Sequence, residues 1–132
     1  MFQPVIFREY DIRGVYNGQF DDNFAYLLGR AYIVYMKDVA GVSNPTIALG
    51  HDARESSPSI IRNLAKGMME SGAKVIHLGL VTTPVCYFST FEVKGVQGAI
   101  QVTGSHNPPE YNGFKISVGK GTIFGAEIQK LR

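Results

Sequence analysis

Three short apolar runs, each closing on a glycine, set the frame for what this chain can fold into. They are TIALG (Thr46 to Gly50), KVIHLG (Lys74 to Gly79) and GAIQVTG (Gly98 to Gly104). Each is short enough for a strand and too short for a helix. Between them lie segments with apolar residues at helical spacing. Ser57 caps the first, with Pro58 in its opening turn, where a missing N–H costs nothing. Ile60, Ile61, Leu64, Ala65, Met68 and Met69 form its apolar stripe, and Gly72 suits its end. Thr82-Thr83-Pro84 opens another helix, running to about Phe91. An earlier helix is expected from the Phe20-Asp21-Asp22-Asn23 cap to about Lys37. Phe24, Leu27, Leu28, Ala31 and Tyr35 recur along it at helical spacing. Such strand-helix alternation predicts parallel strands layered between helices.

Phe114 to Val118 reads as a fourth strand. Only about ten residues separate it from the third, too few for a parallel crossover, so this pair is expected to be antiparallel. The expectation is an α/β fold: a three-layer helix-sheet-helix arrangement with a mixed, mostly parallel four-stranded sheet and one antiparallel edge strand. Val5 to Tyr16 reads as a short extended piece that turns at Gly14. Ala126 to Arg132 looks like the start of a further helix. The 132 residues, 45% of them apolar, fit one domain, residues 1–132. A net charge of +2 with no basic run argues against nucleic acid or a membrane surface as partner. The single cysteine, Cys86, excludes an internal disulfide and points to a reducing compartment. With no signal peptide and no bilayer-length apolar run, a cytoplasmic location is expected.

Ligands of open α/β sheets sit beyond the carboxyl ends of the strands. The loops after Gly50, Gly79 and Thr103 all start there. The last is TGSHNPPEYNGFK, Thr103 to Lys115. Gly104 removes bulk beside the Ser105 hydroxyl, Pro108 and Pro109 stiffen the loop, and Asn112-Gly113 is a turn signal. His106 can move a proton and Lys115 carries a fixed positive charge. Together they suit a phosphate on or near Ser105. The same residues also suit an ordinary polar turn, and physics alone leaves both readings standing. A serine protease-like triad fits worse: adjacent Ser and His cannot easily pair, and no G-x-S-x-G is present.

FREYDIRG (Phe7 to Gly14) crowds Arg8, Glu9, Asp11 and Arg13 together. It reads either as a solvated edge strand or as an anion site in which Arg13 forks onto phosphate and Tyr10 adds a hydroxyl. GHDARESS (Gly50 to Ser57) runs from a strand end to a helix N-terminus, which favours anions. His51 and Asp52 read as braces, and Arg54 as either a brace or a phosphate ligand. His77, mid-strand, reads as a hydrogen-bonded structural histidine, Cys86 as a core thiol and Met68-Met69 as core. No metal-ligand spacing, P-loop or G-x-G-x-x-G occurs.

Taken together, FREYDIRG, GHDAR and TGSHNPPEYNGFK resemble the α-D-phosphohexomutase family, and within it the bacterial phosphomannomutase/phosphoglucomutase branch. The resemblance runs over nearly the whole chain. It implies that Ser105 is the serine phosphorylated in the resting enzyme, that His106 and Lys115 line the catalytic centre, and that Tyr10 and Arg13 form its wall. The family moves phosphate between the 1- and 6-positions of a hexose through a bisphosphorylated hexose that turns over in the cleft. It uses Mg²⁺, held by the serine's phosphate and three aspartates. The branch is marked by Arg-Glu-Tyr in the opening motif, where phosphoglucosamine mutases have a different one.

Family members have four domains. The metal loop G-x-D-x-D-R, the sugar-recognition loop and the distal phosphate loop belong to the other three, and none occurs here. The chain therefore resembles the first domain alone, ending in or before a helix. Its expected partners are a phosphohexose and the missing domains of the same protein. Alone it is expected not to turn over, and groups outside it decide glucose against mannose. The competing readings are a stand-alone phosphate- or phosphosugar-binding module and a plain α/β domain with polar turns.

Overall fold

The three glycine-ended runs lie side by side in the computed structural model, which describes residues 2–132. They are β2 (Thr46–His51), β3 (Lys74–Leu80) and β4 (Val96–Val102), and β1 (Ile12–Val15) precedes them in the chain. β5 (Tyr111–Val118) and the two-residue β6 (Gly121–Thr122) follow. The sheet order is β1-β5-β4-β2-β3, with β6 on β5. β2 pairs in parallel with both β3 and β4, while β4 with β5 and β5 with β1 are antiparallel.

The expected four-strand sheet is thus corrected to six strands, and the antiparallel edge is β1 rather than the Phe114–Val118 run. Two glycines explain the difference. Gly14 is not a turn but lies within β1, and Gly113 lies within β5 rather than in an Asn-Gly turn. A Cβ on Gly113 would stand 2.2 Å from the Ile12 carbonyl oxygen, so the glycine is what lets β1 close onto β5.

The helices are α1 (Asp22–Ala40), α2 (Ser57–Glu70), α3 (Thr83–Glu92) and α4 (Ala126–Gln129). Asp21 caps α1 by accepting from the Phe24 N–H at 2.8 Å. α1 runs three residues past Lys37 and ends at the left-handed Gly41 (φ 66°). Ser56 rather than Ser57 is the N-cap residue of α2. The Ser57 hydroxyl is directed to Asp52 instead, at 2.7 Å.

α1, α2 and α4 cover one face. Phe24, Leu28, Tyr32, Met36, Ile60, Leu64 and Met68 pack there against Ile47, Leu49, Ile100, Val102 and Phe114. Leu27 and Met69, expected in the apolar stripes, are exposed. α3 lies on the opposite face, where Cys86 meets Ala48 and Ala99. This helix is inverted relative to an ordinary amphipathic one. It buries Cys86, Ser89 and Thr90 and exposes Val85, Tyr87, Phe88 and Phe91. Among the described residues no helix is long and apolar enough to cross a membrane.

Candidate active site

β2 and β4 run parallel and end together, with His51 in register with Val102. Their following loops therefore leave the sheet side by side, and Asp52 joins them. Its backbone N–H donates to the Val102 carbonyl at 3.0 Å. Its carboxylate accepts from the Thr103 hydroxyl at 2.8 Å, the Gly104 N–H at 3.1 Å and the Ser57 hydroxyl at 2.7 Å. The Arg54 N–H and Nε donate to it as well, at 3.2 and 3.1 Å. Burial alone would push the Asp52 pKa up. The hydrogen bonds from Ser57, Thr103, Arg54 and Gly104 outweigh it and hold the pKa below the usual carboxylate value.

The rest of the Arg54 guanidinium turns to the serine loop. Nη1 donates to the Pro108 and Tyr111 carbonyls at 2.5 and 3.0 Å, and Nη2 to those of Ser105 and Asn107 at 3.2 and 2.7 Å. A guanidinium has five N–H donors, and protein oxygens take all five. Of the two readings of Arg54, brace or phosphate ligand, this arrangement favours the brace.

Ser105 follows with a left-handed backbone (φ 56°), a conformation unusual for a residue with a Cβ. Its N–H donates to the Thr103 hydroxyl at 2.9 Å. Its own hydroxyl has no partner among the described residues. It opens onto a cleft of about 650 Å³ that His106, Lys115, Thr103, Gln101 and Thr82 to Pro84 also line. His106 is exposed. Lys115 Nζ lies 3.3 Å from Asp11 Oδ2 and also faces an adjoining hollow of about 440 Å³. Exposed Tyr10 lines that hollow, together with Gln101 and Cys86. Burial raises the Cys86 thiol pKa to about 11, which keeps it an inert packing group.

Arg13 sits one step back. It pairs with the buried carboxylate of Asp11, which thereby carries two cations, Arg13 and Lys115. Arg13 lines neither hollow, and its Nε is buried without a partner. The sequence reading missed Asp11 as an anchor and Gln101 as a cleft residue. Asp11 was visible only as one charge among four. His77 does not make the expected hydrogen bond: it is exposed on the edge strand and stacks on His51 at 5.7 Å.

Asp52 predicts a response to acid. Its folded pKa lies below its unfolded one, so its stabilising effect is complete above the unfolded value and is lost as pH falls through the folded one. The Asp21 cap behaves alike, because the Phe24 N–H bond holds its pKa down. The urea midpoint of the domain is expected to be flat above about pH 5 and to fall below about pH 4. Asp52→Asn should lower the plateau and make the acid fall shallower. An acid fall of equal depth in wild type and Asp52→Asn would sink this assignment.

Residues 4–131 match the family model for phosphoglucomutase/phosphomannomutase, alpha/beta/alpha domain I. The chain belongs to this family, as its first domain. A phosphoglucomutase of Neisseria gonorrhoeae is 42% identical over 126 residues, 96% of this chain and 26% of the relative. A phosphomannomutase/phosphoglucomutase of Pseudomonas aeruginosa is 42% identical over 127 residues, 96% of this chain and 27% of the relative. The crystal structure of a phosphoglucomutase/phosphomannomutase family protein from Burkholderia thailandensis superposes with a TM-score of 0.87. It is 38% identical, and the match covers 99% of this chain and 30% of that one. The chain thus spans about a quarter of the length of the curated phosphohexomutases it matches.

The Mg²⁺ that the family implies does not fit the residues of this domain alone. Among the described residues no three His, Cys, Asp or Glu side chains converge on a metal position. Asp52, which holds the start of the serine loop, has both oxygens committed to the loop, to α2 and to Arg54.

Proposed function

We propose that this chain is the phosphoserine-bearing domain of a phosphomannomutase/phosphoglucomutase that interconverts hexose 1-phosphate and hexose 6-phosphate. The observation that carries the reading is Ser105: left-handed, unpartnered at its hydroxyl, and open to a cleft shared with His106 and Lys115. A phosphoryl group on Oγ has room there, and Lys115 supplies positive charge. In the giving step, a sugar hydroxyl attacks phosphorus and the Oγ–P bond breaks. The electron pair stays on Oγ, and the hydroxyl proton passes to a base, a role this reading gives to His106, which lines the same cleft. The bisphosphorylated hexose then turns over, and its other phosphate returns to Oγ. Little covalent work falls to the protein, so alignment and charge dominate. Tyr10 forms part of the wall, and Arg13 acts from one step back, through Asp11. Arg54 belongs to the support of the loop.

The reading assigns Mg²⁺, beyond an oxygen of the Ser105 phosphate, to ligands outside residues 1–132. It assigns sugar recognition there too. The inverted face of α3 supports further domains: exposed Val85, Phe88 and Phe91 form an apolar strip of the kind that packs a neighbour. A reducing, cytoplasmic setting fits the single buried cysteine.

The test is the intact mass of the native gene product, isolated with its phosphates preserved, and assays on both forms. A longer chain with one phosphate mapping to Ser105 is expected. It should isomerise glucose 1-phosphate or mannose 1-phosphate, while the 132-residue chain alone should not. A native chain ending near Arg132 and free of phosphate would overturn the mutase reading and favour a binding module. Turnover by the 132-residue chain would overturn the need for other domains.

A further inference from the structure

We propose that Arg54 is a positioning residue of this centre: it holds Ser105 in its left-handed geometry through main-chain carbonyls and touches no substrate. The inference rests on the mutase reading and adds to it a reason why the nucleophile stays in place.

Three observations carry it. First, the guanidinium is saturated. Its four Nη donations reach the carbonyls of Ser105, Asn107, Pro108 and Tyr111, residues on both limbs of the loop, while Nε is fixed by Asp52. Second, Ser105 is one of three non-glycine residues with positive φ among those described, and it is the one on the cleft. A conformation of that kind persists only where surrounding contacts over-determine it. The contacts here are Thr103 Oγ1 to the Ser105 N–H and Arg54 to the Ser105 carbonyl, so both peptide groups of the residue are held. Third, the loop is shaped around the cation. A Cβ on Gly104 would stand 2.3 Å from Arg54 Cζ, so the glycine beside the nucleophile makes room for the guanidinium.

A lysine cannot replace this. It offers three donors from one point, not five in a planar fork, and cannot span four carbonyls. Without the fork, the carbonyls turn to water and Ser105 relaxes out of the left-handed region. Its hydroxyl then shifts within the cleft it shares with Lys115. Misplacement by about 1 Å costs on the order of 10²-fold in rate.

The experiment uses the full-length protein with Arg54→Ala, Arg54→Lys and Gly104→Ala, the last pressing on the guanidinium from the loop side. It measures kcat and KM for glucose 1-phosphate and amide hydrogen exchange over residues 103–111. A fall in kcat of about 10²-fold is expected for both Arg54 variants, with KM within a few-fold of wild type and faster exchange confined to the loop. Added methylguanidinium should restore part of the Arg54→Ala rate. If Arg54→Ala fails to fold, Arg54→Lys and Gly104→Ala carry the same readings. Wild-type kcat in the Arg54 variants would overturn the proposal. So would a raised KM at unchanged kcat, which would return Arg54 to substrate binding. A wild-type protein that isomerises no hexose phosphate would sink the functional reading instead. Hydrogen exchange then still judges the clamp, and unchanged loop protection in Arg54→Ala would overturn it.

Discussion

In the full-length protein, Ser105→Ala is expected to lower hexose phosphate isomerisation by roughly 10⁴-fold or more, with no phosphate left on the domain. The fold should survive it. The Ser105 hydroxyl makes no hydrogen bond among the described residues. The backbone is held by Thr103 Oγ1 and Arg54, which the substitution leaves alone. Alanine meets the same left-handed strain as serine, so the unfolding free energy from urea should stay within about 0.5 kcal/mol of wild type. Ser105→Gly separates the two effects further. It relieves the strain, so it should be as stable as wild type or more so, and just as inactive. Steady-state rates on glucose 1-phosphate, intact mass and urea unfolding check all three statements. Retention of more than a few per cent of activity by either variant would rule out Ser105 as the group that carries the phosphate.

The parallel core of the sheet and the placement of the serine loop were legible because both depend on local pattern. Three glycine-ended apolar runs separated by helical spacing leave few other arrangements. The first strand was legible only in part. FREYDIRG carries four charges in eight residues and reads as a solvated edge strand or an anion site; β1 is an edge strand, but not a solvated one. In the structure Asp11 is buried because Arg13 and Lys115 both pair with it, and Lys115 lies 104 residues away. The Asn112-Gly113 pair misled for a related reason. Its glycine serves a close approach by Ile12, and a turn signal looks the same in sequence. Arg54 shows the limit most plainly. Its local setting, a strand end followed by a helix N-terminus, fits anion binding. What favours a brace instead is four carbonyls 51 to 57 residues further on, which no spacing rule reaches. The inversion of α3 is equally hidden. Val85, Phe88 and Phe91 have the spacing of a buried stripe, and pattern alone does not say which body covers it.

The second large effect is on stability, at the crossing of α1 and α2. The two helices touch through glycines. A Cβ on Gly67 would stand 2.0 Å from the Tyr26 carbonyl oxygen, and one on Gly29 would stand 2.3 Å from that of Leu64. Gly67→Ala is therefore expected to destabilise the domain by about 2 kcal/mol, even though alanine is the better helix former by about 1 kcal/mol. The sign follows from what the methyl meets. A side chain could rotate away, but a carbonyl bound into α1 cannot, so the helices must separate. Separation loosens Leu28, Tyr32, Leu64 and Met68 together, all fully or nearly fully buried between helices and sheet. It also reaches the site. α2 starts at Ser57, whose hydroxyl holds Asp52, so movement of α2 strains the brace behind the serine loop. Urea unfolding of the 132-residue chain should show a lower midpoint for Gly67→Ala and a nearly unchanged one for Arg62→Ala, exposed on the same helix. Equal or higher stability of Gly67→Ala would mean that the helices part without loss, and that the crossing is not what keeps the core closed.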